Sequence, residues 1–166
     1  YVLTHPLTRD RIRAVEGFAA AFSGSATDDA SADYWFARVQ GKLSAFTNAP
    51  GWTLRRVDRN DRSDIATMRR AIAYHLTPDA DRAIAQINAL SAARPNDPFV
   101  ADLKGQILLE SRRVAEAVNA YGRAVQLAPN DPLILAGYGR ALVALNSADG
   151  ARRALGPLER ARSIDG

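Results

Sequence analysis

The stretch PFVADLKGQILLESRRVAEAVNAYGRAVQLAPND, residues 98–131, decides the fold, because it can be laid over its neighbours at a spacing of 34 residues. Pro95 and Pro129 are one interval apart, as are Ala83 and Ala117, and the small residues Ala71, Gly105 and Gly139 keep the same step. Three units follow: 64–97, 98–131 and 132–166. Asp97-Pro98 and Asp131-Pro132 read as an N-cap followed by proline at the first helical position, with Thr77-Pro78 a weaker version of the same signal. Pro95 and Pro129 end the preceding helices. The pattern predicts helix pairs at about 64–76 and 79–93, 98–110 and 114–127, and 132–145 and 150–164. Gly105, Gly139, Ala117 and Ala154 are small where the two helices of one hairpin cross, while Tyr74, Leu108, Ile87, Tyr121 and Leu158 fill the space between hairpins. In the third unit the small anchors are further apart, which places three inserted residues in its turn, around Asn146 to Gly150.

Gly105, Leu108, Ala117-x-x-x-Tyr121, Ala124 and Pro129 together resemble the tetratricopeptide pattern. The first unit repeats it with Ala71, Tyr74, Ala83, Ile87 and Pro95, the third with Gly139, Leu142, Ala154, Leu158 and Ala161. Ala101, Lys104 and Arg112 depart from it, standing where Trp, Leu and a turn Gly are usual. The resemblance implies an all-α superhelix of three helix-turn-helix repeats, with two non-repeat helices before them. It also implies that the first helix of each pair lines an inner, partner-binding groove. The groove positions are Ile65, Met68, Ile72, His75 and Leu76 in the first repeat and Phe99, Asp102, Gln106, Leu109 and Glu110 in the second. In the third they are Leu133, Ala136, Arg140, Val143 and Ala144. This largely apolar strip suits an extended or helical peptide segment of a protein partner, and it lacks the Lys, Asn and Arg set that clamps a C-terminal carboxylate. The alternative is that the first two helices cover much of it.

Residues 1–63 do not repeat, which divides the chain at 63/64. Arg9 to Phe22 carries Ile12, Val15, Phe18, Ala19 and Phe22 at helical spacing, and Asp33 to Phe46 carries Trp35, Val39, Leu43 and Phe46 in the same way. Ser23 to Ser31 between them is a loop by composition. Asn48 to Ser63 reads as an extended connection with a turn at Pro50-Gly51, pinned to the repeats by Trp52, Leu54 and Val57.

The 166 residues include no cysteine, which removes disulfides, thiolate zinc sites and a cysteine nucleophile. No stretch approaches the roughly 20 uncharged apolar residues of a membrane span. The formal charge of +4 divides evenly between residues 1–63 and 64–166. Arg55, Arg56, Arg59 and Arg62 form the densest basic cluster but are interrupted by Asp58 and Asp61, so the cluster reads as a solvated loop and not as a nucleic-acid groove. The only histidines are His5 and His75, so the H-E-x-x-H motif of a zinc peptidase is absent and no metal or other cofactor is expected in this chain. No nucleophile triad, paired carboxylates or phosphate-cradling loop appears either.

Thr4-His5-Pro6-Leu7-Thr8-Arg9-Asp10-Arg11-Ile12 resembles the element that closes the peptidase domain of HtpX-like zinc metallopeptidases. Together with two helices, a link and tetratricopeptide repeats, the order is similar to the C-terminal half of BepA/YfgC-type bacterial metallopeptidases. That resemblance implies a docking region of a periplasmic zinc endopeptidase in outer-membrane protein assembly and quality control, with zinc held by the full-length protein. The implied partners are the assembly machinery, unfolded outer-membrane proteins and the protein's own peptidase domain. His5 reads either as a residue fixing a turn before Pro6 or, in the intact protein, as an imidazole approaching the upstream zinc site. The chain begins at Tyr1 and not at Met, which reads as a processed product or an excised piece, and any signal peptide would lie upstream. At the other end Leu155, Leu158, Ala161 and Ile164 present an apolar stripe that predicts a contact with the peptidase domain, a partner or a second copy of the chain.

Overall fold

The computed structural model describes residues 29–77 and 79–165, and among these it contains eight helices and no strand. His5, the Thr4–Ile12 element, the helix expected at 9–22 and Pro78 lie outside the described residues. The chain forms two compact units, 1–37 and 38–166. In the first, the described part is the start of α1 (Ala30–Thr47), where Asp29 Oδ1 accepts hydrogen bonds from the amides of Ser31 and Ala32 at 3.0 and 3.2 Å.

The second unit holds the rest of α1, a short α2 (Pro50–Arg56) and three hairpins. These are α3 (Asp64–Leu76) with α4 (Ala80–Ala93), α5 (Pro98–Glu110) with α6 (Val114–Leu127), and α7 (Pro132–Val143) with α8 (Ala148–Asp165). Residues 38–63 thus group with the repeats. Asp97 and Asp131 cap α5 and α7 in the same way, each taking two amide hydrogen bonds at 3.0 and 3.1 Å. Thr77 does not start α4: it is extended (φ −94°, ψ 149°), as a residue before proline tends to be, and the cap falls to Asp79, which accepts from the Arg82 amide.

Register between the hairpins is set by rings and small residues. The fully buried Tyr121 ring of α6 lies between Gly105 and Gly137, where an added Cβ would come within 2.6 and 2.4 Å of ring carbons. Gly139 opposes Leu158 in the same way, with a Cβ only 2.5 Å from that side chain. Arg123 reaches the Asn96 side chain at 2.9 Å, and Arg160 reaches that of Asn130. In both comparisons the partner in or just before the first helix steps by 34 and the second-helix partner by 37, which locates the three extra residues between them. They are not in the turn. The left-handed turn residues Arg112 (φ 62°) and Asn146 (φ 50°) remain 34 apart, and α6 and α8 start 34 apart. Ser147 Oγ accepts from the Gly150 amide at 3.0 Å, so the insertion is absorbed as added helix at the start of α8.

Two further expectations are corrected. Residues 50–56 are helical and not extended: Pro50 has the fixed φ that suits a first helical turn, and Arg56 lies over the Trp52 ring, 4.6 Å from its centroid, four residues along the same face. In α1, Val39 and Leu43 are 62% exposed, and the packed side of this part of the helix is Arg38, Gly41 and Ala45. Close approach selects that side. A Cβ at Gly41 would stand 2.9 Å from Ile65 Cγ2, so the absence of a side chain lets α1 lie on α3. Arg38 donates to both oxygens of Asp97, the cap of α5. Burial pushes the Asp97 carboxyl up, but the Arg38 hydrogen bonds and charge and the amides of Val100 and Phe99 outweigh it and hold the group below its usual range.

Two outcomes follow for stability. Alanine normally stabilises a helix interior by about 1 kcal/mol over glycine, and Gly122→Ala in α6, whose new Cβ would lie at an ordinary 3.8 Å from Tyr138 Cε2, is expected to gain up to that amount. Gly150→Ala in α8 places a Cβ 2.5 Å from the Leu142 carbonyl oxygen and is expected to lose about 1 to 3 kcal/mol. Denaturant melts of the two variants therefore move in opposite directions; equal shifts would refute the close α7–α8 crossing. Arg38→Met is expected to cost about 3 kcal/mol at neutral pH by stranding a mostly buried carboxylate. A carboxyl whose folded pKa is depressed stabilises above its unfolded pKa and stops doing so as pH falls through the folded one. The gap between parent and variant should accordingly shrink as the solution is acidified through and below the ordinary carboxylate range; a gap that does not change with pH would refute the ion pair.

Candidate docking face of the repeats

The first helices of the hairpins, α3, α5 and α7, carry the residues expected to meet a partner. In the first repeat they are not available. Met68 and Ile72 are 2% and 0% exposed, Ile65 is half-buried, and Ala45 of α1 belongs to the same core cluster as Met68 and Ile72. The inner face of this repeat is therefore covered by α1, and Met68 and Ile72 are corrected from groove to core. A small cavity of about 160 Å³ remains there, between Arg38 and Lys42 of α1, Met68 of α3 and Phe99 of α5.

Beyond α1 the face opens. Phe99, Leu133 and Val143 are exposed, as is Leu76 of α3, while Asp102, Gln106 and Ala136 are half-buried and Arg140 is exposed. Leu109 packs against the core. Polar groups link the repeats across this surface. His75 Nε2 lies 2.7 Å from Glu110 Oε2, and Gln106 donates to Glu110 Oε1 at 3.2 Å, so the last turns of α3 and α5 are tied together. Apolar positions therefore flank a hydrogen-bonded polar set.

Asp102 is the electrostatically unusual member. Burial raises its carboxyl pKa first of all and Asp131 adds to the effect, whereas Lys42 and Arg140 oppose it. The Tyr121 phenol responds to the same neighbourhood and is pushed up to about 12, first by burial and then by Asp102, while Arg140 pulls the other way by charge and by a hydrogen bond. Arg38 and Lys42, which help to shape this surface, escape sequence reasoning because they come from a helix outside the 34-residue register. No spacing rule connects α1 to α5.

Among the described residues no three of His, Cys, Asp and Glu are grouped so as to hold a metal ion, and none of the helices is long and apolar enough to cross a membrane. At the end of α8, Leu155 and Ile164 are 58% and 43% exposed, whereas Ala161 is buried and Leu158 is partly used against Gly139. The C-terminal stripe is thus narrower than its spacing suggests.

Residues 108–162 match the family model described as tetratricopeptide repeat. The solved structure MamA MSR-1 C2 superposes with a TM-score of 0.60 at 20% identity, covering 82% of this chain and 80% of its own. MamA AMB-1 P212121 gives 0.59 at 20% identity, covering 82% and 76%. A search of curated proteins gives no match. At such identity the likeness speaks for fold alone. With the family match running from the end of α5 through most of α8 and the hairpins built from Asp64 onward, the fold is an all-α tetratricopeptide-repeat superhelix, a fold that acts by binding other proteins.

Proposed function

We propose that the face formed by α5 and α7 docks a peptide segment of a protein partner, with α1 closing its first-repeat end. One observation carries this reading: Phe99, Leu133 and Val143 are left exposed around the Asp102, Gln106 and Arg140 set, whereas in the first repeat Ile65, at the position of Phe99 and Leu133, is half-buried, and Met68 and Ile72, at those of Asp102 and Gln106, are buried. A row of apolar anchors with polar points between them suits an amphipathic segment.

The larger setting we propose rests on Thr4 to Ile12 and its resemblance to HtpX-like peptidases. In it, this chain is the docking region of a periplasmic zinc metallopeptidase that acts in outer-membrane protein assembly and quality control. Zinc would be held by ligands outside the described residues. The alternative is a free-standing adaptor with no linked peptidase, and the encoding reading frame separates the two: an H-E-x-x-H helix upstream supports the first, its absence the second.

The docking face is tested by selecting binders to the chain from a random peptide library. Leu133→Asp combined with Val143→Asp is expected to weaken a selected peptide by at least about tenfold, near 1.4 kcal/mol, without lowering the melting temperature. Leu43→Asp on the outer side of α1 should leave it unchanged. Selected peptides that bind parent and double variant alike would remove the proposal.

Asp102 separates stability from binding. Because its folded pKa is raised, the carboxylate costs stability above that pKa, and the cost disappears as pH falls below it. Asp102→Asn is therefore expected to raise the melting temperature at neutral pH and to match the parent in acid. If Asp102 meets a cationic group of the partner, the same variant binds basic selected peptides more weakly. A neutral-pH melt no higher than the parent's would refute the buried charge.

A further inference from the structure

A second surface, away from α5 and α7, brings four guanidinium groups to one cavity. Arg59 and Arg62 of the α2–α3 loop, Arg70 of α3 and Arg82 of α4 line a space of about 570 Å³, together with Tyr74 and Gln86. Arg70 is 8% exposed and holds the loop in place: it donates to the main-chain oxygens of Asp58 and Asp61 at 3.1 and 2.7 Å, to Gln86 Oε1 at 3.0 Å and to Thr67 Oγ1 at 3.3 Å. Every one of these acceptors is neutral.

The neighbouring acids are ion-paired with only one of the four, Arg82. The Asp58 carboxylate accepts from the Asn60 amide and that of Asp61 from the Ser63 amide, both at 2.8 Å. Asp79 pairs with Arg82 at 3.0 Å, and Asp64 with Arg94 at 2.6 Å. Among the described residues no carboxylate is ion-paired with Arg59 or Arg62. Like charges gathered at one cavity repel unless an anion joins them, and planar guanidinium forks match carboxylates in pairs of parallel hydrogen bonds.

We infer that this arginine-lined cavity is a second binding site, which takes the carboxylate side chains of an acidic peptide segment. The apolar wall supplied by Leu54, Val57 and the Tyr74 ring gives room for the methylene stems of Glu residues. A nucleic acid fits less well. Tyr74, the aromatic residue of the lining, already has the Arg82 guanidinium 5.3 Å from its ring centroid, which leaves no free stacking platform.

Fluorescence anisotropy of a labelled octaglutamate peptide against the whole chain tests the site. Saturable binding at low salt, weakened as salt screens the charges, is expected. Arg59→Ala with Arg62→Ala, both exposed, should reduce affinity by about tenfold or more. Arg152→Ala with Arg162→Ala on α8, which removes the same charge, should not. Arg70 is left intact because it holds the loop. Three results would overturn the inference: no saturable binding at low salt, equal losses from the two arginine pairs, or tighter binding of an oligothymidylate of equal charge that the Arg59 and Arg62 changes also abolish. Loss of octaglutamate binding in the Leu133→Asp, Val143→Asp variant would likewise overturn it and place the peptide on the α5–α7 face, so the two sites fail separately.

Discussion

The ring of Tyr121 is clasped between two glycines, one in its own hairpin and one in the next, and the stacking of the last two repeats depends on that clasp. A helix pair cannot bury its apolar face alone; each hairpin is stable only as far as its neighbour fits. Tyr121 supplies the fit by filling the inter-hairpin space with one rigid side chain, and Gly105 and Gly137 supply it by leaving the space unfilled. At the corresponding positions one repeat earlier the chain has Ile87, Ala71 and Leu103, a smaller centre with larger walls. Larger walls leave room only for a smaller centre, so the two junctions fill the inter-hairpin space differently, as close-packed interiors require. Because the clasp links α6 to both α5 and α7, it also sets how α5 and α7 lie beside each other, and so the spacing of the docking face.

Helix α1 changes what that face can do. A repeat array with its first groove positions open would present one strip from Ile65 to Val143. Here Gly41 and Ala45 let α1 settle on α3, and Arg38 ties it to the residue that caps α5. One carboxylate, Asp97, thus serves two purposes: it satisfies the first amides of α5 and receives a guanidinium from outside the repeats. Lys42 then stands close enough to influence Asp102, so the electrostatics of the open part are set in part by the helix that closes the rest.

The two surfaces differ in how their charges are compensated. On the α5–α7 face acids and bases are interleaved: His75 meets Glu110, and Asp102 is balanced between Lys42 and Arg140. Such a face favours a segment with its own mixed polar groups and apolar anchors. At the α2–α3 loop the acids point into the loop's own amides and the arginines into the cavity. The loop geometry separates charges that alternate along the sequence.

The helices of the repeats, and the caps at Asp97 and Asp131, were legible in the sequence because they depend on neighbours a few residues apart: proline after a capping acid, small residues at crossings, apolar residues at helical spacing. The 34-residue interval added the order of the hairpins, and the mismatch in the third repeat revealed three extra residues. Their placement at the start of α8 was decided by tertiary contact, since Leu158 had to meet Gly139 and Arg160 had to reach Asn130. The docking face was legible as a set of positions but not as a surface. Whether Met68 and Ile72 are exposed depends on a helix more than twenty residues earlier that packs by its small residues and leaves Val39 and Leu43 outside, against the reading that apolar spacing gives. The arginine cluster shows the same limit: Arg55 to Arg62 with its two aspartates reads as a balanced loop, and only folding adds Arg70 and Arg82 from other helices while directing the carboxylates away. Local chemistry determines the elements, because it acts between residues near in sequence; burial and charge compensation are properties of residues brought together from far apart, and those the tertiary structure alone decides.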